Sequence, residues 1–186
     1  MSELLKYVIT GHRSGIGKAL FMHYASKPNV YCVGYDISHY LDLNDPKTHS
    51  HFIKDCEDAS VIVLNAPSGE QHESLKTIHG LFKNEPKHVI AVGSMVSKIW
   101  KTLEEVPERF QTYWFQKKLL DDTVEDYVHL NYPIKISIIR PWWVDTPLAK
   151  EYTGKKLTID TVVDTIKYII ENKNNHITNI DIKCVN

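Results

Sequence analysis

The sequence predicts an α/β protein: a doubly wound parallel sheet of six to seven strands with helices on both faces, three layers deep. Short β-branched runs alternate with longer stretches of helical period along the whole chain, the pattern of a parallel sheet wound through crossover helices. Several of the short runs are almost continuously apolar, as strands buried on both faces must be. The punctuation between them is brief, with no Gly/Ser linker, internal repeat or low-complexity tract.

The strands are predicted at Lys6–Thr10 (KYVIT), Val30–Tyr35 (VYCVGY), Ser60–Asn65 (SVIVLN), His88–Gly93 (HVIAVG), Ile134–Arg140 (IKISIIR) and Ile177–Val185 (ITNIDIKCV). The helices are predicted at Gly15–Ser26, Pro46–Glu57, Gln71–Asn84, Thr112–Leu130 and Thr158–Glu171. Asp45-Pro46 and Thr158-Ile-Asp-Thr have the residues of helix starts, a capping oxygen followed by a proline or a first helical turn. Leu41-Asp42-Leu43 reads as a vestigial strand at a trimmed sheet edge, because five residues separate Asp36 from Asp42 and no crossover helix fits between them.

With 186 residues, 42% of them hydrophobic and 24% charged, the chain has the composition of one globular domain, 1–186, able to bury roughly 70% of its unfolded surface without staples. Lys plus Arg number 22 against 23 Asp plus Glu, so there is no electrostatic reason to expect nucleic acid or an anionic membrane as partner. The three cysteines, Cys32, Cys56 and Cys184, stand far apart in no metal-binding pattern, which fits reduced thiols in a cytoplasmic protein. The ten histidines are scattered, so no metal is expected. No run approaches the ~20 apolar residues of a membrane span.

The first strand runs directly into Thr10-Gly11-His12-Arg13-Ser14-Gly15-Ile16-Gly17 and a helix. Glycines in such a turn let the backbone pass close to a pyrophosphate, and the helix N-terminus offers free N–H groups to its oxygens. Residues 11–17 are therefore expected to hold the phosphates of a dinucleotide, in a Rossmann-type arrangement. Asp36 closes the second strand 19 residues after Gly17, where a carboxylate accepts from ribose hydroxyls and repels a 2′-phosphate, favouring NAD. Arg13 admits the opposite reading, since a guanidinium there pairs with a 2′-phosphate and NADP becomes possible. The plain reading of Asp36 is a solvated strand-end turn residue.

Tyr113 and Lys117 stand four apart at the start of a long helix, on one face and one turn from each other. An ammonium so placed favours the phenolate, which allows proton exchange with an alcohol or carbonyl oxygen nearer neutral pH. The same spacing also suits an ordinary surface pair.

The order of the glycine loop, Asn65-Ala66, Ser94, Tyr113 with Lys117, and Arg140-Pro141-Trp142-Trp143-Val144-Asp145-Thr146 resembles the short-chain dehydrogenase/reductase family over nearly the whole chain. The resemblance implies that Tyr113 is the general acid/base, that Lys117 lowers its pKa and holds the nicotinamide ribose, and that Ser94 hydrogen-bonds the reacting oxygen. It implies that Thr146, with Pro141, meets the nicotinamide carboxamide, that Asp42 reads the adenine amino group, and that Asn65, Ala66 and Pro67 floor the ribose. Pairing of copies into a homo-oligomer follows from it too, through the helices at Gln71–Asn84 and Thr112–Leu130. Trp114, Phe115 and Leu119 are then interface residues, although core packing explains them equally.

Departures from the family pattern are informative. Pro67 and Trp142 stand where glycines are usual, and the family's fourth catalytic residue, an asparagine, has no clear match; Asn84, just before Glu85-Pro86, fits a helix end. The proton relay is then expected to run through water or to be incomplete. Between Ser94 and Tyr113 the chain is long, and an extra turn or short helix is expected near Ile99–Lys101 and Glu104–Arg109. Trp100, Trp142, Trp143 and Tyr152 either form an aromatic wall selecting a flat or apolar substrate or fill volume. Only about residues 147–157 are left for a substrate lobe. The leading expectation is an NAD(P)-dependent oxidoreductase of a small alcohol or carbonyl. The alternatives are a nucleotide-binding sensor with little catalysis, and a sugar-nucleotide epimerase or dehydratase, which the glycine spacing and the missing sugar-nucleotide domain disfavour.

Overall fold

The computed structural model describes residues 4–39, 41–66, 71–172 and 174–185. The strands are β1 (Leu5–Thr10), β2 (Val30–Tyr35), β3 (Val61–Leu64), β4 (His88–Val92), β5 (Lys135–Pro141) and β6 (Asn179–Ile182). All pair in parallel in one sheet of order β2-β1-β3-β4-β5-β6. The helices are α1 (Gly15–Ala25), α2 (Pro46–Cys56), α3 (Gln71–Phe82), α4 (Val96–Ile99), α5 (Gln111–Val128) and α6 (Ile159–Glu171).

Strand periodicity divides the apolar residues between two faces. Val8, Ile62, Leu64, Val89, Ala91, Ile136 and Ile138 pack under Phe52 and Cys56 of α2, Leu75 and Ile78 of α3, and Leu120 and Val124 of α5. Tyr7, Ile9, Val61, Val63, Ile90, Val92 and Ile139 face the other way, under Leu20 and Tyr24 of α1 and Val162, Val163, Ile166 and Ile169 of α6. Asp45 caps α2 by accepting from the Thr48 N–H at 2.7 Å, with Pro46 in the first turn. Thr158 caps α6 through the Thr161 N–H at 3.2 Å. Both helix starts stand at the residues whose capping chemistry anticipates them.

One expectation is corrected and two open alternatives are decided. Leu41–Leu43 is not a strand: Asp42 accepts from the Asn44 N–H at 3.0 Å and closes a local turn, so the sheet has six strands among the described residues. Trp114 is not available to an interface, because it is buried with Val96 and Val106 and its indole N–H donates to the Trp100 carbonyl at 3.1 Å. Trp142, partly buried, packs against the core beside α1 and α6, the volume-filling alternative. The long interval before Tyr113 holds α4 and two 3₁₀ turns, Leu103–Glu105 and Glu108–Phe110. No helix of the described residues is long and apolar enough to cross a membrane.

Successive strands move outward from β1 to β2, and the chain then returns to place β3 on the other side of β1. In an open parallel sheet the carboxyl ends of strands at such a reversal border a crevice. Among the described candidates, Gly11–Gly17, Asp36, Asn65, Ala66, Ser94 and Thr146 follow the carboxyl ends of β1 to β5.

Candidate active site

The turn after β1 is tight. The Gly11 N–H donates to the Tyr35 carbonyl at 2.7 Å, and Gly11 and Gly15 have φ of +69° and +51°, a region side chains with a Cβ adopt at a cost. At Gly17 a Cβ would lie 2.2 Å from the Gly11 oxygen, and at Gly15 one would lie 3.0 Å from Thr146 Cγ2. The glycines therefore hold a close crossing of backbone and bring the loop against the segment after β5. Ser14 begins α1 without a side-chain cap, leaving the first N–H groups of the helix for another acceptor. The His12 ring lies 5.0 Å from that of Phe21 and packs over Gly34.

Asp36 accepts from the Arg13 N–H at 3.2 Å and from the Ser38 N–H and hydroxyl at 2.9 and 2.6 Å. Partial burial pushes its carboxyl up, but the bonds from Ser38 and Arg13 outweigh this and hold it below the usual range. The Arg13 side chain is exposed. Asp36 and Asp42 line one recess with Tyr35, Ile37, Leu41, Leu43 and Ala66.

Thr10 joins β1 to the next loop. Its hydroxyl donates to the Val63 carbonyl at 3.3 Å and accepts from the Asn65 and Ala66 N–H groups at 2.8 and 3.0 Å, which uses its whole hydrogen-bonding capacity. Asn65 Nδ2 donates to the Thr10 carbonyl at 3.2 Å. The floor of the crevice at Asn65-Ala66 is thereby tied to the glycine turn. Pro67 lies outside the described residues.

Ser94 follows β4, and its hydroxyl accepts from the Val96 N–H at 3.3 Å. Tyr113 and Lys117 come from the first turns of α5, with Lys117 Nζ 5.6 Å from the Tyr113 ring centre. Burial pushes the Tyr113 phenol up, and a hydrogen bond with Ser94 works against that rise. The side chains of Ser94, Tyr113 and Lys117 are thus brought together. Lys117 is 2% exposed, and burial lowers its pKa to about 7 against the opposing field of Asp121. Its ammonium donates to Gln71 Oε1 at 2.5 Å and to the Val92 carbonyl at 2.9 Å. Gln71 escaped the sequence reading because it stands 46 residues away on α3; a glutamine opening a helix carries no signal of such a contact. Asn84 is exposed in the turn after α3 and precedes β4, at the opposite edge of the sheet.

Pro141 ends β5, its carbonyl accepting from the Met95 N–H at 3.1 Å, and Thr146 abuts Gly15 before the 3₁₀ turn Pro147–Ala149. Residues 147–157 fold back so that the Leu157 N–H donates to the Trp143 carbonyl at 2.7 Å. Behind the site, the fully buried Asp121 pairs with Arg140 at 2.7 Å. The Ser97 hydroxyl lies within reach of both the Asp121 carboxylate and the Ser94 carbonyl. Trp100, Phe110, Trp143 and Tyr152 form a half-buried row of neighbouring rings with centres 4.6–6.0 Å apart, and Arg109 caps its Phe110. Among the described residues no three His, Cys, Asp or Glu side chains are grouped to hold a metal ion.

No protein-family model matches the chain, and no curated protein matches it in sequence. Solved structures do share its fold. A small-chain dehydrogenase in complex with NADPH is 15% identical, with 97% of each chain covered and a TM-score of 0.73. An alcohol dehydrogenase from the archaeon Thermococcus sibiricus, complexed with 5-hydroxy-NADP, is 18% identical over 98% of this chain and 97% of that one, TM-score 0.73. A 4-hydroxyisoleucine dehydrogenase complexed with NADH is 18% identical over 96% and 97%, TM-score 0.72. The fold is that of the short-chain dehydrogenases.

Proposed function

We propose that the protein is an oxidoreductase of the short-chain dehydrogenase/reductase type, using NAD or NADP on a small alcohol or carbonyl substrate. The observation that carries this reading is the meeting of Ser94, Tyr113 and Lys117 at the same sheet edge as the glycine turn. The residues present fit a dinucleotide: α1 opens with uncapped N–H groups, and the crossing at Gly11 and Gly17 leaves no room for a Cβ. The pyrophosphate would lie on Gly11–Gly17, the adenosine half beside Asp36 and Asp42, and the nicotinamide half between Asn65-Ala66, Thr146 and Lys117.

When bound, the nicotinamide ring supplies or takes up the hydride. Tyr113 takes the hydroxyl proton of an alcohol, or returns one to a carbonyl oxygen, while Ser94 hydrogen-bonds that oxygen. Lys117 stabilises the phenolate by its charge. With Asp36 ionised and already held by three donors, a 2′-phosphate is repelled and NAD is preferred. The aromatic row from Trp100 to Tyr152 supports a flat or apolar substrate, with residues 147–157 as its small lobe. Copies of the chain pair through α3 and α5, where Phe115 is 55% exposed.

Separate fluorescence titrations with NADH and NADPH test the cofactor, with tighter binding of NADH expected. Turnover across a panel of alcohols and carbonyls should be lost in Tyr113→Phe, with NADH affinity retained; undiminished turnover in that variant refutes the mechanism. The upward push on the Tyr113 phenol favours a second reading, a dinucleotide-binding sensor. It predicts NADH binding with no turnover on any panel member.

A further inference from the structure

Gln71 is buried, and both ends of its amide are committed. Its Nε2 donates to the Leu64 carbonyl at 2.7 Å, at the end of β3, and its Oε1 accepts from Lys117 Nζ at 2.5 Å. The orientation of the amide is unambiguous, because a carbonyl oxygen accepts only from the NH₂ end and an ammonium donates only to the oxygen. The Val92 carbonyl takes a second N–H of Lys117 at 2.9 Å. An ammonium nitrogen is tetrahedral, so the Lys117 stem and these two acceptors fix three of its four directions. Among the described residues no acceptor takes the third N–H.

We propose that Gln71 is a positioning residue that, with the Val92 carbonyl, locks the Lys117 ammonium so that its third N–H is presented to the ribose of a bound dinucleotide. The inference rests on the oxidoreductase reading. It deepens it by assigning the rotational setting of Lys117 to the side chain that opens α3. Because Gln71 is anchored on Leu64, one residue before Asn65, the crevice floor and the lysine share one support. The titratable groups near Lys117 are Tyr113 and Asp121 on α5, the latter paired with Arg140 of β5; α3 and β4 present a neutral amide and a carbonyl.

The test uses Gln71→Met, which removes the acceptor, and Gln71→Glu, which keeps the shape and adds a negative charge. The Lys117 ¹³Cε resonance, followed with pH in lysine-labelled protein free of cofactor, should titrate lower than wild type in Gln71→Met and higher in Gln71→Glu. NADH should bind Gln71→Met roughly 10- to 100-fold more weakly, the worth of a hydrogen bond to a charged group. A merely structural glutamine moves neither titration in opposite directions. If Gln71→Met does not fold, the upward movement in Gln71→Glu decides. Titrations that stay in place, or move the same way in both variants, overturn the proposal while NADH binding by the wild type leaves the oxidoreductase reading standing. A wild type that binds neither NADH nor NADPH refutes that reading, and with it the use assigned to the third N–H.

Discussion

Replacing Arg140 with methionine strands a carboxylate in the interior. Asp121 has no solvent exposure and takes its closest charged contact from Arg140 Nε at 2.7 Å; Lys98 Nζ stands 3.9 Å away with its side chain 35% exposed. Removing one partner of a buried ion pair costs ~3–5 kcal/mol, because the remaining charge is left without compensation. Lys98 offsets part of this through partly solvated space, which places the expected loss for Arg140→Met near the lower end, about 3 kcal/mol. For a chain of this size, that corresponds to a midpoint lower by roughly 6–12 °C. Urea unfolding at pH 7, with the slope of free energy against denaturant checked for constancy, measures the loss directly. The double variant Asp121→Leu/Arg140→Met replaces both charges with apolar groups and should recover most of it, to within ~1 kcal/mol of wild type or above it. An Arg140→Met protein within ~0.5 kcal/mol of wild type, the range of an ordinary surface change, refutes the reasoning. So does a double variant weaker than the single one.

Two further outcomes follow from the site. Gly17→Ala places a Cβ 2.2 Å from the Gly11 oxygen, so the turn must open; NADH binding measured by fluorescence should weaken at least about tenfold, the worth of one lost phosphate hydrogen bond, with the circular dichroism of the fold retained. Lys117 has a folded pKa of about 7, so between about 7 and ~10.4 the unfolded chain binds more protons than the native one and stability rises with pH. Its contribution to that slope approaches ~1.4 kcal/mol per pH unit and should vanish in Lys117→Met; denaturant titrations between pH 7 and 9 that show the same slope in both proteins contradict the burial argument.

The sheet was legible because its strands announce themselves twice, by β-branched residues and by apolar runs that no half-exposed strand tolerates. The helix starts at Asp45 and Thr158 were legible because capping is local chemistry, decided within three residues. Leu41–Leu43 misled for the opposite reason: two leucines around a polar residue have strand alternation, but the neighbouring Asn44 N–H gave the Asp42 carboxylate a turn to close. The glycine turn, Ser94, Tyr113 and Lys117 were readable as one group from their order along the chain, through the family resemblance. What packs against them was not. Phe110 was absent from the expected aromatic group although it links Trp100 to Trp143, and only the fold decides that Trp142 fills volume against the core while Trp143 joins the ring row. Neighbouring tryptophans on a strand end point to opposite faces, and only the fold says which face is which. Gln71 meets Lys117 across 46 residues, and Asp121 meets Arg140 between a helix and the strand after it; such tertiary pairings leave no local pattern to read.

The division of the core between two faces also bears on how the protein is made. The face under α2, α3 and α5 is closed by segments internal to the chain, so it is complete once α5 and β5 have emerged from the ribosome. The other face depends on α1 and α6, which lie side by side but arise from opposite ends of the described sequence. Throughout synthesis of everything between them, Leu20, Tyr24 and the apolar side of β1, β3 and β4 await a cover that follows β5 in the chain. A nascent chain in that state displays a broad oily surface, so a stall before residue 159 produces a half-clad sheet that chaperones must shield or proteases remove.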